Sequence, residues 1–328
     1  MRLATILPEN GQTPVAAVSV DPQNWVSLHD FLGFFGVKEI PNSLTAPLSQ
    51  FLPVLLPRFS EFTRKVSDWP EHGRIFQKRG GKTMRARVFL PPVLRPPSFR
   101  DFSGFEQHVR TARARCGLEM VQAWYDIPVF YFANPNSLVG QDAPVFAPAG
   151  SNELDYELEL AVIMGNRARN ITPETAWSHV AGCVILNDFT ARDLQRAEVV
   201  VGLGPAKGKD FATSVGPVLV TRDELADKIQ GERISLEMRA RVNGHELSRG
   251  SSSALFHTFP HMIAHASRDT DLFPGDLIGS GTVGTGCILD LTVEATNGWL
   301  KPGDVVELEI ERLGKLRNKI VARPGGVR

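Results

Sequence analysis

The segment DYELELAVIMG, residues 155 to 165, constrains this 328-residue chain more than any other stretch. Side chains at i, i+2 and i+4 of a β-strand project from the same face. Leu154, Tyr156, Leu158, Leu160 and Val162 therefore share one face, and Asp155, Glu157 and Glu159 the other. Two arrangements accommodate such a strand. The acids can form a solvated face on an amphipathic strand. Alternatively, because three neighbouring carboxylates with no interleaved Lys repel one another, a cation can lie against them. A hard divalent ion such as Mg²⁺ or Ca²⁺, which takes oxygen ligands and completes its shell with water and substrate, meets the second case.

More acids are then required. The segment VILNDFTARDLQ supplies Asp188 at the end of an apolar strand, with Arg192 and Gln195 following at helical spacing. A helix N-cap at Asp188 beside a surface Arg gives the same pattern. Other motifs point nowhere. GSGTVG at residues 279 to 284 fits GxGxxG, but the CILDLTVE that follows reads as a strand, without the helix N-terminus that a pyrophosphate needs. GLGPAKGKD has Leu203 where a P-loop needs its first Gly, and Asp210 in place of Ser or Thr. His257, His261 and His265 recur every fourth residue without HExxH, which fits packing or solvated histidines better than a metal face. There is no GxSxG elbow.

Lys plus Arg and Asp plus Glu number 36 each, with no block of like charge, so there is no footprint for nucleic acid or an anionic membrane. A small-molecule site is the default. Cys116, Cys183 and Cys287 are widely spaced and odd in number, which argues against a disulfide framework or a thiolate metal site and fits a reducing compartment. The apolar run near the start stops at Pro8, and no run approaches about 18 apolar residues. A cytoplasmic location is expected.

The first 95 residues read as a small β-containing N-terminal domain: strands at RLATILP and TPVAAVSV around ENGQ, then a Pro- and Leu-rich stretch. FLPPVLRPPSFRD, residues 89 to 101, reads as a connector. Residues 96 to 328 read as a second domain in which FSGFEQHVRTARARCGL and SALFHTFPHMIAHASRD are helical, Pro260 sitting near the start of the latter. AGCVILND, SVGPVLVT, ISLEMRARVNGHEL, ILDLTVEA and VVELEIERLG read as strands. The expected class is mixed α+β, mainly β, without βαβ rhythm.

Taken in order, RDFSGFEQH, PVFYFANPNSLVG, LDYELELAVIMG, VILNDFTARDLQ, GKDFATSVGPVLV and PGDLIGSGTVGTG resemble the fumarylacetoacetate hydrolase (fumarylacetoacetase) superfamily over about residues 95 to 312. The resemblance implies a β-roll or sandwich catalytic domain and a homodimer. It implies metal ligands at Asp101, Glu157, Glu159 and Asp188, for Mg²⁺ first, with Ca²⁺ or Mn²⁺ as alternatives. It further implies a catalytic His108, an active-site Lys209, and substrate contacts from Tyr131, Arg192, Gln195 and Thr282. The chain departs from the family pattern at Ser103, where fumarylacetoacetase has Tyr, and at Thr111, where many bacterial relatives carry the Glu that orients the His. Asp290, one methylene shorter than fumarylacetoacetase's late Glu, is the candidate for that role.

These residues suit hydrolysis of a carbon–carbon bond in a 1,3-diketo acid, of the acylpyruvate or fumarylacetoacetate type, in aromatic catabolism. A metal and nearby cations take up the charge that develops as the bond breaks, while an acid-held His activates water. The same site also suits an isomerase, hydratase or decarboxylase acting on a 2-oxo-dicarboxylate. A non-catalytic interaction protein would have no use for four ligand acids and a Lys in one chain.

Overall fold

A computed structural model describes residues 1–323. Its spine is an 11-stranded sheet. From one edge the order runs Trp25–Ser27, Val15–Ser19, Arg2–Pro8, Thr213–Thr221, Val180–Asp188, Leu158–Met164, Leu277–Gly279, Phe99–Phe102 and Phe130–Phe132. Ala86–Leu90 also pairs with Arg2–Pro8, and Leu138–Val139 with Thr213–Thr221. Nearly every pairing along this path is antiparallel; Phe99–Phe102 lies parallel to Leu277–Gly279, which puts Asp101 opposite Gly279. The stretch before residue 95 joins the same sheet through Arg2–Pro8, whose Arg2 and Leu3 pair with Val220 and Leu219.

The central strands are buried on both faces, and their side chains alternate between two cores. From Leu158–Met164, the residues Leu158, Leu160, Val162 and Met164 enter one core, and Ala161 and Ile163 the other. Val180–Asp188 divides likewise, Cys183 and Ile185 against Val184 and Leu186. The first core is closed by a five-stranded sheet that contributes Met238, Ala240, Leu308 and Ile310. The second is closed by N-terminal helices carrying Phe31, Phe51, Leu52, Phe59 and Phe62. Each such aliphatic or aromatic side chain stabilises the fold by roughly 1.5–3 kcal/mol relative to exposure. The central strands are therefore a stiff support for whatever projects from their ends.

Three helices are not expected from the sequence: Leu48–Leu55 lies within the Pro- and Leu-rich stretch, and Phe59–Ser67 and Trp69–Lys78 follow it. Leu48, Phe51, Leu52 and Leu55 keep the helical period and are all buried, so packing overrides the backbone bond lost at Pro53. The expected strand at ILDLTVEA is a second difference. Ile288–Leu291 is a four-residue helix, because the N–H groups of Ile288 and Leu289 are satisfied by the buried Asp155 carboxylate at 2.8 and 3.1 Å. The two expected helices of the C-terminal region are present as Glu106–Arg115 and Phe259–Ala266, the latter with Pro260 in its first turn.

Candidate active site

Three strands deliver acids to one place, and a fourth makes room for them. Asp101 comes from Phe99–Phe102, Glu159 from Leu158–Met164 and Asp188 from the end of Val180–Asp188, and all three are buried. One carboxylate oxygen from each lies within 4.8 Å of the other two. Leu277–Gly279 supplies the space. A Cβ on Gly279 would stand 2.3 Å from Asp101 Oδ1 and 3.2 Å from Glu159 Oε2, so a side chain there would fill the gap between the carboxylates. Two residues on, Gly281 takes φ +77°, where a Cβ would strike the Phe102 carbonyl, and its N–H donates to Glu159 Oε2 at 3.1 Å. The glycines of GSGTVG thus cradle carboxylates, a use that its GxGxxG spacing does not signal. Thr282 is buried beside Gly281.

The three acids of DYELE part company after this. Leu154–Asp155 ends before Leu158–Met164 begins, and pairs with Thr190–Ala191 in a ladder of its own. Asp155 turns away from the acid centre: it accepts from Arg192 Nε at 2.8 Å and from the N–H groups of Tyr156, Ile288 and Leu289. Glu157, its N–H held by Asn187 Oδ1, lies against Arg192 Nη2 at 2.8 Å and Lys209 Nζ at 2.5 Å. Lys209 also reaches Asp188 Oδ2 at 2.5 Å, so its ammonium links Glu157 to the acid centre. Asp188 is no N-cap, because the Arg192–Val200 helix starts four residues later behind Ala191. Its carboxylate accepts from the Tyr131 hydroxyl at 2.5 Å and from Thr213. Gln195 accepts from Arg192 Nη1 at 3.0 Å. Lys209 is placed by the turn before it, where Glu198 accepts the N–H groups of Ala206, Lys207 and Gly208 and a Cβ on Gly208 would meet the Gln195 backbone.

The second group lies on shorter elements. His108, on Glu106–Arg115, has Nδ1 at 3.0 Å from both oxygens of Asp290, which stands on Ile288–Leu291. Asp290 also accepts from Thr285 N–H at 3.1 Å, and Cys287 Sγ lies 3.8 Å from His108 Nδ1. An acid on Nδ1 fixes the ring and leaves Nε2 for proton transfer. The His108 side chain is 14% exposed, so it borders solvent while Asp290 does not.

Burial and mutual repulsion set the charge state of the acid centre. Burial, then Asp188, raises Asp101 to about 7. Burial, then Asp101, Glu157 and Asp188, holds the Glu159 carboxyl well above the usual range. Asp188 is also raised by burial, Lys209 opposing. Glu157 goes the other way: burial pushes it up, but Lys209 and Arg192 outweigh burial and hold it at about 2. Against burial, Asp188 and Glu157 keep Lys209 charged, and Asp155 and Glu157 do the same for Arg192. Ionised together, three carboxylates aimed at one point would carry more negative charge than one ammonium offsets, so without a further cation they hold protons, and the buried Asp101 Oδ1 has no hydrogen-bond partner. An all-oxygen donor set with an unpartnered oxygen and a glycine-cleared space fits a hard divalent cation. A cleft of about 590 Å³ beside Arg58, Glu61 and Asp223 contains none of these residues.

Residues 98–321 match the fumarylacetoacetate (FAA) hydrolase C-terminal family. The chain is 36% identical over 197 residues to a mitochondrial oxaloacetate tautomerase of Homo sapiens, covering 59% of each chain. It is similar in structure to a fumarylacetoacetate hydrolase from psychrophilic Exiguobacterium antarcticum, with TM-score 0.70 and 25% identity over 98% of this chain and 100% of that one. It is also similar to fumarylpyruvate hydrolase from Pseudomonas aeruginosa in complex with Mn²⁺ and pyruvate, with TM-score 0.58 and 23% identity over 70% of this chain and 91% of that one.

Proposed function

The chain belongs to the fumarylacetoacetate hydrolase family, and from that premise we propose that it is a divalent-metal-dependent hydrolase of a carbon–carbon bond in a 1,3-diketo acid of the acylpyruvate type. The observation that carries this reading is the His108–Asp290 pair, a base with a buried acid on its far nitrogen, set beside a separate buried carboxylate centre. Decarboxylation needs only an electron sink. A positioned base implies a step in which a proton is taken.

Asp101, Glu159 and Asp188 would hold the ion, Mg²⁺ or Mn²⁺, with Glu157 next to them across Lys209. When bound, it supplies Lewis-acid withdrawal of electrons from the substrate's oxygens. His108 Nε2 takes a proton from water, Asp290 balancing the imidazolium, and the oxygen adds to the acyl carbonyl carbon. The bond between that carbon and the neighbouring CH₂ breaks, its electron pair going to the pyruvate fragment, which takes up one proton. The products are a carboxylic acid and pyruvate. Lys209 and Arg192, charged in the site, stabilise negative charge as it develops on substrate oxygens; Gln195, Tyr131 and Thr282 would orient the substrate.

A second reading, tautomerisation of an oxaloacetate-like 2-oxo-dicarboxylate, is favoured by the 36% identity to the tautomerase. There His108 would move a proton between carbon and oxygen, and no bond to water forms. Loss of acylpyruvate absorbance and the enol-to-keto relaxation of oxaloacetate, each followed with Mn²⁺ and with EDTA, separate the two. Metal-dependent acylpyruvate turnover with a kcat/KM well above that for oxaloacetate supports the hydrolase. Accelerated tautomerisation with no acylpyruvate cleavage would replace it.

A further inference from the structure

The His108 pocket contains a donor that the proposed reaction does not use. Cys287 is fully buried, yet its sulfur faces His108 Nδ1 at 3.8 Å, and Asp290 offers an oxygen to the same nitrogen at 3.0 Å. One nitrogen, one sulfur and one oxygen therefore lie within 4.8 Å of one another. Zinc bonds of about 2.0–2.1 Å to nitrogen and oxygen and about 2.3 Å to sulfur place tetrahedral donors roughly 3.3–3.7 Å apart. The nitrogen–sulfur spacing of 3.8 Å lies close to that range and the nitrogen–oxygen spacing of 3.0 Å below it. A bound ion therefore has to draw the Asp290 carboxylate, both of whose oxygens lie 3.0 Å from Nδ1, off the ring.

The donor types differ in kind from those of the acid centre. Carboxylates alone suit a hard ion, whereas imidazole with thiolate selects a borderline or soft one. We propose that His108, Cys287 and Asp290 form a second metal site, for a thiophilic divalent cation of the Zn²⁺ or Co²⁺ type, next to the hard-ion site. Binding breaks the Cys287 S–H bond, passes that proton to solvent and forms the sulfur–metal bond, with water as fourth ligand. Two anionic donors then neutralise the ion, and Asp155 and Glu157 add negative charge close by, opposed by Arg192. The exposed edge of His108 is the way in.

The site does not depend on which reaction the enzyme catalyses; its consequence does. A cation on Nδ1 displaces Asp290 from the imidazole and removes the base. Zn²⁺ would then inhibit under conditions where Mg²⁺ or Mn²⁺ activates. Metal occupancy here is an off-state built from the same histidine.

Co²⁺ is the probe, because thiolate ligation gives a charge-transfer absorption that carboxylate ligation lacks. Cys116 is exposed, so all proteins are made in a Cys116→Ser background. The expected result is a charge-transfer band that saturates at one equivalent and persists in Asp101→Asn, whose hard-ion site is disabled. It disappears in Cys287→Ser, and Zn²⁺ inhibition, measured against that variant's own metal-activated turnover, weakens at least tenfold. Should Cys287→Ser fail to fold, Asp290→Asn, expected to weaken Co²⁺ binding at least tenfold with the band shifted, serves in its place. Absence of the band in the parent protein at saturating Co²⁺, or a band unchanged in Cys287→Ser, would overturn the proposal.

Discussion

The acid centre and the histidine pair are built on opposite structural principles. Asp101, Glu159 and Asp188 stand on strands buried on both faces, where each position is fixed by two neighbouring strands and two cores. His108 stands on a helix with no buried residue, and Asp290 on a helix of four residues. Carboxylates that repel one another must be held by something stiffer than themselves, and a sheet does that. A base that transfers protons needs one good partner and an open edge, and short elements provide them. The two regions are joined by Asp155, which grips Arg192 on one side and the first N–H groups of the Asp290 helix on the other.

If that division is correct, changes in the acid centre should cost most. Asp101→Asn removes one of three carboxylates, and turnover should fall by about 10³-fold or more together with Mn²⁺ binding, read by calorimetry. Undiminished Mn²⁺ affinity in that variant would remove Asp101 from the ligand set. His108→Ala should lower kcat by about 10²–10⁴-fold, and Asp290→Ala by less, since the ring remains and only its orientation and charge balance are lost.

Asp155→Asn tests the link. Breaking a buried charge pair costs about 3–5 kcal/mol; because Arg192 keeps Glu157 and Asn can still accept one bond, a loss near the low end, about 3 kcal/mol, is expected by denaturant titration. Both the Arg192-dependent KM and the His108-dependent kcat should suffer. A variant as stable and as active as wild type would mean that the two regions are not coupled through this carboxylate.

The smallest effect concerns pH. Asp101 is raised to about 7, so below that value a cation must displace its proton, and Mn²⁺ affinity should fall roughly tenfold per pH unit from 7 to 6. The sign for stability without metal follows. An acid whose folded-state pKa is raised binds its proton more tightly when folded, so Asp101 contributes less stability as pH rises from about 4 to about 7. The rise in Tm on adding Mn²⁺ should therefore be larger at pH 8 than at pH 6, and an equal rise would count against a protonated Asp101.

The same contrast explains what was legible in the sequence. Strands such as VILND and SVGPVLVT announce themselves by apolar runs, and the alternation of acids in DYELE marks Glu159 because the strand continues through it. The alternation holds for the apolar residues, since Leu154, Tyr156, Leu158, Leu160 and Val162 all enter one core. It does not tell that Asp155, before the strand break at Tyr156–Glu157, serves Arg192 and the Asp290 helix instead of the acid centre. The Glu157 pairing with Arg192 and Lys209 is tertiary and has no local signal. Helices around Pro53 were hidden because proline reads as a breaker, although Leu48, Phe51, Leu52 and Leu55 kept the period. ILDL alternates like a strand, and only the remote Asp155 makes it a helix. His108 and Asp290, 182 residues apart, were paired only through the family resemblance, since nothing in either segment points to the other.

The most direct test of the division between the two regions is Mn²⁺ titration of wild type, Glu159→Gln and His108→Ala side by side, with turnover measured on the same samples. The account predicts that His108→Ala binds Mn²⁺ with wild-type affinity and is inactive, while Glu159→Gln loses both binding and activity. Loss of Mn²⁺ affinity in His108→Ala, or full affinity retained in Glu159→Gln, would contradict it.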